Sequence, residues 1–397
     1  MSILAGKRII LGITGSVAAY KSIYLASNLV QAGAVVDVLL TEAAMSFVGK
    51  ASFEGITGRR AYSSVMEMTP EGSISHVEIG LSADAMLVAP ATADIVAKLA
   101  MGFASDIVSA TALSLRGALL VAPAMESRMY RNKATTDNID TLVSRGVHVI
   151  APNTGRLASG VDGEGRLPEP DELIDELRGR LGAEGPLRGK RIVVTAGGTR
   201  EHLDPVRYIG NRATGKQGVA LAVEARDRGG MVTLIVANPS IRIPGGLKVI
   251  SVSNYAELEK ATKLEVASCD ALIMNAAVGD FLPEQVAECK IKSGESGIVL
   301  ELNRSPDLLS SVSGEFIRIG FAAETSELED NARRKLKIKC LDAIVANDVG
   351  SAFATDTNEV TIIRADESTI KVPKQSKEGI ATRVIDELIE MFSLREA

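Results

Sequence analysis

The chain has 397 residues, enough for two domains, and its 46% apolar and 24% charged residues are an ordinary globular mix. That composition excludes a disordered, collagen-like or disulfide-stapled protein. Lys plus Arg total 44 against 50 Asp plus Glu, so the net charge is −6, and aromatics are 4% with no Trp. A basic nucleic-acid binder and a base-stacking platform are both disfavoured, so no nucleic-acid partner is expected. The three cysteines, Cys269, Cys289 and Cys340, form no CxxC pair, and there are only three histidines, His76, His148 and His202. This points to a reducing compartment and away from a Cys- or His-built metal site. No apolar run reaches the roughly 18 residues of a membrane span, so a cytoplasmic protein with no membrane partner is expected.

Short Val/Ile/Leu/Ala runs predict strands at 7–13, 34–40, 84–89, 117–122 and 147–151. Each is apolar on both faces, as in a buried parallel sheet. Between them the spacing predicts a helix from an N-cap at Ser16 to Gly33, and further helices over 92–101, 104–115 and 132–145. Such alternation predicts a doubly wound α/β fold. Residues 153–170 are rich in Gly and Pro and read as loop, followed by a helix and a linker. The strand-then-glycine opening GKRIILGITG then recurs as GKRIVVTAGG from Gly189. Two α/β domains are expected, 1–186 and 187–397. In the second, strands fit 191–195, 231–237, 270–275, 316–322 and 342–346, and helices fit 215–229, 254–267, 326–339 and 376–392. A β-hairpin closes the pattern at EVTIIRAD and TIKVP.

The first turn, Gly12-Ile13-Thr14-Gly15-Ser16, misses the G-x-G-x-x-G spacing, so a mononucleotide or flavin phosphate suits it better than NAD. Asp37 on the second strand reads either as a ribose-binding acid or as a solvated strand residue. Residues 210–217, GNRATGKQ, are one residue short of a Walker A motif, Gln217 standing where Ser or Thr would hold Mg²⁺. Fourteen residues also separate them from the end of the preceding strand at Thr195. A P-loop NTPase is therefore rejected, although Arg207, Arg212 and Lys216 suit anionic groups. His76 reads as structural or as an acid, base or anion partner. It is accompanied by strand-end loops at Pro90-Ala91-Thr92 and Pro123-Ala124-Met125, where open α/β sheets bind ligands.

TGSVAAYK (14–21), His76, PATADIVAKLA (90–100), PAMESRMY (123–130) and GEGRLPEP (163–170) resemble the flavin-dependent cysteine decarboxylases. TAGGTREHLDPVRYIGNRATGKQG (195–218), NAAVGDF (275–281), KIK (290–292), GFAAET (320–325) and DAIVANDV (342–349) resemble phosphopantothenate–cysteine ligases. In this order they resemble the bifunctional coenzyme A biosynthesis family over nearly the whole chain. The resemblance implies a flavoprotein-like N-terminal domain and a Rossmann-like C-terminal domain. It implies that the C-terminal half activates 4′-phosphopantothenate with CTP as an acyl-CMP, which the cysteine amine attacks. The N-terminal half would oxidise the product's thiol with FMN to a thioaldehyde, lose CO₂ and return the electrons to give 4′-phosphopantetheine.

Residue by residue, the resemblance implies catalytic roles for His76, Glu126, Ser159, Asn211 and Lys290. Gly15, Ser16, Thr41, Pro90, Ala91, Thr92 and Met125 would bind FMN. Asp280, Lys290, Pro306, Asp307, Leu308, Leu309, Phe321, Lys335 and Lys339 would bind CTP, with Asp280 meeting Mg²⁺. A solvated helix face also accounts for Lys335 and Lys339, four apart on a helix. A homo-oligomer of flavoprotein trimers and ligase dimers, such as a dodecamer, is implied. Two positions depart from the family pattern. Glu126 replaces an Asn whose amide contacts the substrate carboxylate, and an ionised Glu would repel that group whereas a protonated one could donate to it. Ser159 replaces a proton-donating Cys, and a hydroxyl is a far weaker acid than a thiol. The alternative reading is a ligase whose decarboxylase half is impaired and kept for flavin binding or assembly. Leu282 and Cys340 also depart from the ligase pattern, with no evident chemical consequence.

Overall fold

The computed structural model describes residues 3–70, 72–292, 299–324, 327–348 and 357–396. Its contacts divide the chain into Met1–Gly182 and Ala183–Ala397, four residues ahead of the expected boundary.

In the first unit the strands are β1 (Arg8–Ile13), β2 (Val35–Leu40), β3 (Ala61–Tyr62), β4 (Ala85–Ala91), β5 (Ala118–Pro123) and β6 (His148–Val149). They form one parallel sheet in the order β3-β2-β1-β4-β5-β6. The helices are α1 (Tyr20–Gln31), α2 (Lys50–Thr57), α3 (Ser75–Ser82), α4 (Ala93–Met101), α5 (Ile107–Ser114), α6 (Ser127–Tyr130), α7 (Lys133–Ser144) and α8 (Pro170–Gly182). The sheet is covered on both faces: Ile9, Leu11 and Ile13 enter one core, and Ile10 enters the other with Leu39 and Val88. That double burial explains why the strands read as unbroken apolar runs.

The segment 153–170, expected to be loop, contains an antiparallel ribbon of β7 (Asn153–Arg156) and β8 (Asp162–Arg166). Its Gly- and charge-rich sequence lacks the β-branched alternation that marks a half-buried strand. His76 lies in α3, a helix not marked out by the sequence pattern.

The second unit begins with β9 (Arg191–Gly197). A small hairpin, β10 (Arg200–His202) and β11 (Tyr208–Gly210), leads to α9 (Lys216–Asp227). Then follow β12 (Met231–Ala237), β13 (Lys248–Val252), α10 (Tyr255–Val266), β14 (Ala271–Met274) and a second ribbon of β15 (Phe281–Pro283) and β16 (Leu302–Arg304). β17 (Ile317–Glu324), α11 (Leu328–Ile338), β18 (Ala343–Asp348), β19 (Thr357–Arg364), β20 (Thr369–Ser376) and a helix Lys377–Glu396 complete it. Residue 326, the expected start of α11, lies outside the described residues. The main sheet runs β13-β12-β9-β14-β17-β18-β19-β20, parallel through β18 and antiparallel thereafter. The expected closing hairpin is β19–β20.

In both sheets the first strand lies between the second and fourth parallel strands in chain order, so the winding direction reverses there. That reversal opens a crevice beyond the carboxyl ends of the strands. No described helix is long and apolar enough to cross a membrane.

Asp37 is neither solvated nor free for a ribose. Its carboxylate is 3% exposed and accepts Arg8 Nε and Arg59 Nε, each at 2.7 Å. It ties the start of β1 to the α2–β3 connection. Asp37→Ala strands two guanidiniums in a partly covered site, and urea unfolding of the protein should show the first unit losing roughly 2–4 kcal/mol.

Candidate active sites

The crevice of the first sheet depends on a threonine. Thr14 Oγ1 donates to the carbonyl of Pro90 at 2.7 Å and accepts the Thr92 N–H at 3.1 Å, joining the β1 turn to the β4 turn. Ser22 Oγ donates to the Ala89 carbonyl beside it, and the Ala89–Pro90 peptide is cis. Thr92 also caps α4 by accepting the Ile95 N–H. Gly15 is required by space: a Cβ there would lie 2.5 Å from Ala43 Cβ. Thr41 is buried, and its hydroxyl accepts the Ala44 N–H.

Beyond these turns lies a cavity of about 550 Å³. Ser16, Lys21, Met125, Glu126, Ser159 and Arg166 are among its lining residues. Its outer wall is the β7–β8 ribbon, docked where the Met125 N–H donates to the Gly165 carbonyl at 3.0 Å. Gly165 has φ +140°, and a Cβ there would meet Met125 O at 2.1 Å. Lys21 braces the same edge, donating to the Leu167 carbonyl and to Glu169. The Glu126 carboxylate accepts the Arg128 N–H at 2.6 Å and so caps α6.

The structure therefore brings Ser16, Met125, Glu126 and Ser159 to one cavity, while Gly15, Thr41, Pro90, Ala91 and Thr92 build the turns that adjoin it. His76 does not line that cavity. It lies on α3, its Nδ1 buried without a hydrogen-bond partner. The loop that leads into α3 is organised by Glu67, whose carboxylate accepts the Ser63 and Ser64 N–H groups, Lys50 and Arg60. Burial pushes the Glu67 carboxyl up, but these hydrogen bonds and the Lys50 charge outweigh it and hold the pKa at about 2. Because that value lies below the ordinary 4.5, the stabilisation is complete above pH 4.5 and disappears as pH falls toward 2. A carboxyl-carbon NMR titration should show Glu67 still ionised at pH 3.5, where free carboxylates are mostly protonated.

The second unit repeats the threonine device. Thr195 Oγ1 accepts the N–H groups of Asn275 and Ala276, each at 3.1 Å. The buried Thr199 hydroxyl accepts the Gly279 N–H at 3.0 Å. Together they fix the loop 275–281, which carries Asp280. A cavity of about 700 Å³ follows it. Asp280, Pro306, Asp307, Leu308, Leu309, Phe321, Lys335 and Lys339 all line this cavity. Lys335 and Lys339 thus face a cavity, so a purely solvated helix face does not describe them.

Phe321 also lines a smaller cavity of about 160 Å³, walled by residues 212–217 with Asn275 and Asn347. Asn211 is exposed at the end of the β10–β11 hairpin, and its Nδ2 donates to the Val278 carbonyl. Lys290 is exposed on the segment after β15 and lines neither cavity. Sequence reading passed over Thr14, Thr195 and Thr199, whose partners are 76 to 81 residues away.

Asp307 and Lys339 are paired at 3.0 Å across the larger cavity's rim. Burial pushes the Asp307 carboxyl up, but the Lys339 ammonium and the Ser310 hydroxyl outweigh it and leave the pKa below the ordinary 3.8. On the acid side the pair therefore holds down to that value and loosens as pH falls below it. Lys339→Gln should move the Asp307 titration upward in an NMR pH series, and an unmoved value would show the pair is not formed in solution.

Comparison with known proteins agrees with this division. The family model described as Flavoprotein matches residues 2–182. The one described as DNA/pantothenate metabolism flavoprotein C-terminal domain matches residues 187–392. The coenzyme A biosynthesis bifunctional protein CoaBC of Vibrio cholerae is 40% identical over 394 residues, covering 97% of this chain and 98% of the relative. That of Bacillus subtilis is 39% identical over 394 residues, covering 97% of each. A crystal structure of the C-terminal domain of a CoaBC protein covers 53% of this chain and 99% of its own, at 32% identity and a TM-score of 0.47. The chain belongs to the bifunctional coenzyme A biosynthesis family, and it is an enzyme with phosphopantothenate–cysteine ligase and phosphopantothenoylcysteine decarboxylase activities.

Proposed function

We propose that the ligase half works on CTP and 4′-phosphopantothenate, and that the observation carrying this is the single cavity lined by Asp280, residues 306–309, Phe321, Lys335 and Lys339. Joining a carboxylate to an amine requires a better leaving group than oxide, and a nucleotidyl ester supplies it. Two polyanions must then share one site, so fixed cations are needed where charge develops. Lys335, Lys339 and the neighbouring Arg334 provide them. Asn211 and Lys290 handle the acyl-nucleotide and the attack by cysteine. Among the described residues no cluster of three or more His, Cys, Asp or Glu could hold a metal alone. That suits Mg²⁺, which is commonly held by one or two carboxylates together with substrate phosphates. Asp280 is the carboxylate we assign to it.

We infer that the 550 Å³ cavity of the first unit takes FMN, with Ser16 and the Gly15 turn toward the phosphate. The lining supports this, since Ser16 from the turn after β1 and Met125 from the turn after β5 both reach the cavity. FMN supplies reversible two-electron oxidation when bound. The chain's own groups bind the substrate: Arg156 and Arg166 line the cavity beside Glu126 and offer cations to its anionic ends. Ser159 stands on the ribbon that closes over it.

We place His76 as the acid–base residue of a cavity completed by a second copy of the chain. Val77 and Leu81 on its own helix, with Met66, Met68, Ile74 and Leu113 nearby in sequence or packing, are exposed apolar residues that suit a homo-oligomeric contact.

The test is a product assay. Purified protein with 4′-phosphopantothenate, cysteine, Mg²⁺ and CTP should release pyrophosphate and CMP and yield 4′-phosphopantetheine by mass spectrometry, and its visible spectrum should be that of a flavin. Turnover with ATP but not CTP would overturn the nucleotide assignment. Accumulation of 4′-phosphopantothenoylcysteine by flavin-loaded protein would overturn the roles given to Glu126 and Ser159.

A further inference from the structure

Asp204 lies outside both cavities and touches no candidate substrate position, yet its carboxylate is fully buried. Both of its oxygens accept backbone N–H groups, and the Arg207 guanidinium lies 3.7 Å from Oδ2. Oδ1 accepts the Val206 N–H at 2.7 Å and the Arg207 N–H at 2.8 Å, closing the turn between β10 and β11. Oδ2 accepts the Ile291 N–H at 3.1 Å, 87 residues away. A second bond runs in parallel, from the Ala287 N–H to the Leu203 carbonyl at 2.9 Å. The segment 287–291 is thus fastened at both ends to the hairpin turn, and Lys290 is the residue next to the fastening.

The other arm of the same hairpin ends at Gly210, and Asn211 follows it immediately. Asn211 is in turn bonded to Val278, in the loop that carries Asp280. One buried carboxylate therefore connects the backbone of Lys290 to the hairpin that delivers Asn211. A buried ionised group is retained only where it is well satisfied, and three N–H donors converge on this one.

We propose that Asp204 is a positioning residue of the ligase reaction, holding Lys290 in register with Asn211 through the Ile291 N–H. The proposal rests on the reading that Lys290 acts in ligation. A displacement of about 1 Å at an acting group can cost on the order of a hundredfold in rate. Asp204→Asn keeps the side chain's size but loses one acceptor oxygen and the charge, and should lower ligase kcat/KM by roughly 10- to 100-fold. The decarboxylase activity on supplied 4′-phosphopantothenoylcysteine should stay unchanged in the same protein.

The deciding measurement is a double-mutant cycle with Lys290→Gln. If Asp204 acts through Lys290, the double variant is no slower than Lys290→Gln alone. If Asp204 only supports the fold, the two losses multiply, and the proposal is overturned. Asp204→Glu, which keeps the charge, should recover part of the activity; no recovery in Asp204→Glu, together with a lowered melting temperature of the ligase half, would also overturn it. Full ligase activity in Lys290→Gln would instead refute the role given to Lys290, independently of Asp204.

Discussion

Both halves of this enzyme depend on one constraint, the parting of neighbouring strands where a parallel sheet reverses its winding. At that point the loops after the first and fourth strands lose their ladder partners, and their N–H and C=O groups must be satisfied in another way. In each unit a threonine hydroxyl at the end of the first strand does this. Thr14 bonds Pro90 and Thr92; Thr195 bonds Asn275 and Ala276. A hydroxyl can donate and accept at once, so one small side chain ties down a splayed loop without filling the crevice. The proposed flavin and nucleotide sites both lie beside these clamps. The similarity is one of physical solution, imposed by the same topology.

A second layer of organisation is added by ribbons outside the main sheets. The β7–β8 ribbon closes the first cavity, and the β10–β11 and β15–β16 ribbons frame the second site. These short pieces have little core of their own. They are held by backbone bonds and isolated buried groups, such as the Met125–Gly165 bond and the Asp204 carboxylate. Loops carried on a rigid scaffold commonly bear the chemistry of α/β enzymes.

This layering explains what could be read from the sequence. Strands such as Arg8–Ile13 and Met231–Ala237 are buried on both faces and appear as apolar runs, so they were legible within a residue or two. The hairpin Thr357–Arg364 and Thr369–Ser376 was equally plain. The ribbon at 153–166 was not, because its strands are held by backbone pairing and Gly contacts, which leave no hydrophobic period. The helix that carries His76 was missed for a related reason: GSISHVEIG is too short to show a helical period. The residues proposed for the nucleotide were named through motif resemblance; periodicity alone would have left Lys335 and Lys339 as a solvated helix face. Asp37 and Asp204 have no local signature, since what defines each is a partner distant in the chain.

Gly15 and Ala43 illustrate how tightly such a scaffold constrains its own divergence. The two positions face each other so closely that a methyl group added at 15 would overlap the methyl already at 43. Ala43 is already the smallest residue that has a side chain, so only a change to glycine there would make room. A lineage carrying this turn has almost no neutral neighbours in sequence space at these two sites. Variation in substrate or assembly must therefore be explored elsewhere, on the ribbons and exposed helix faces, while this turn stays frozen.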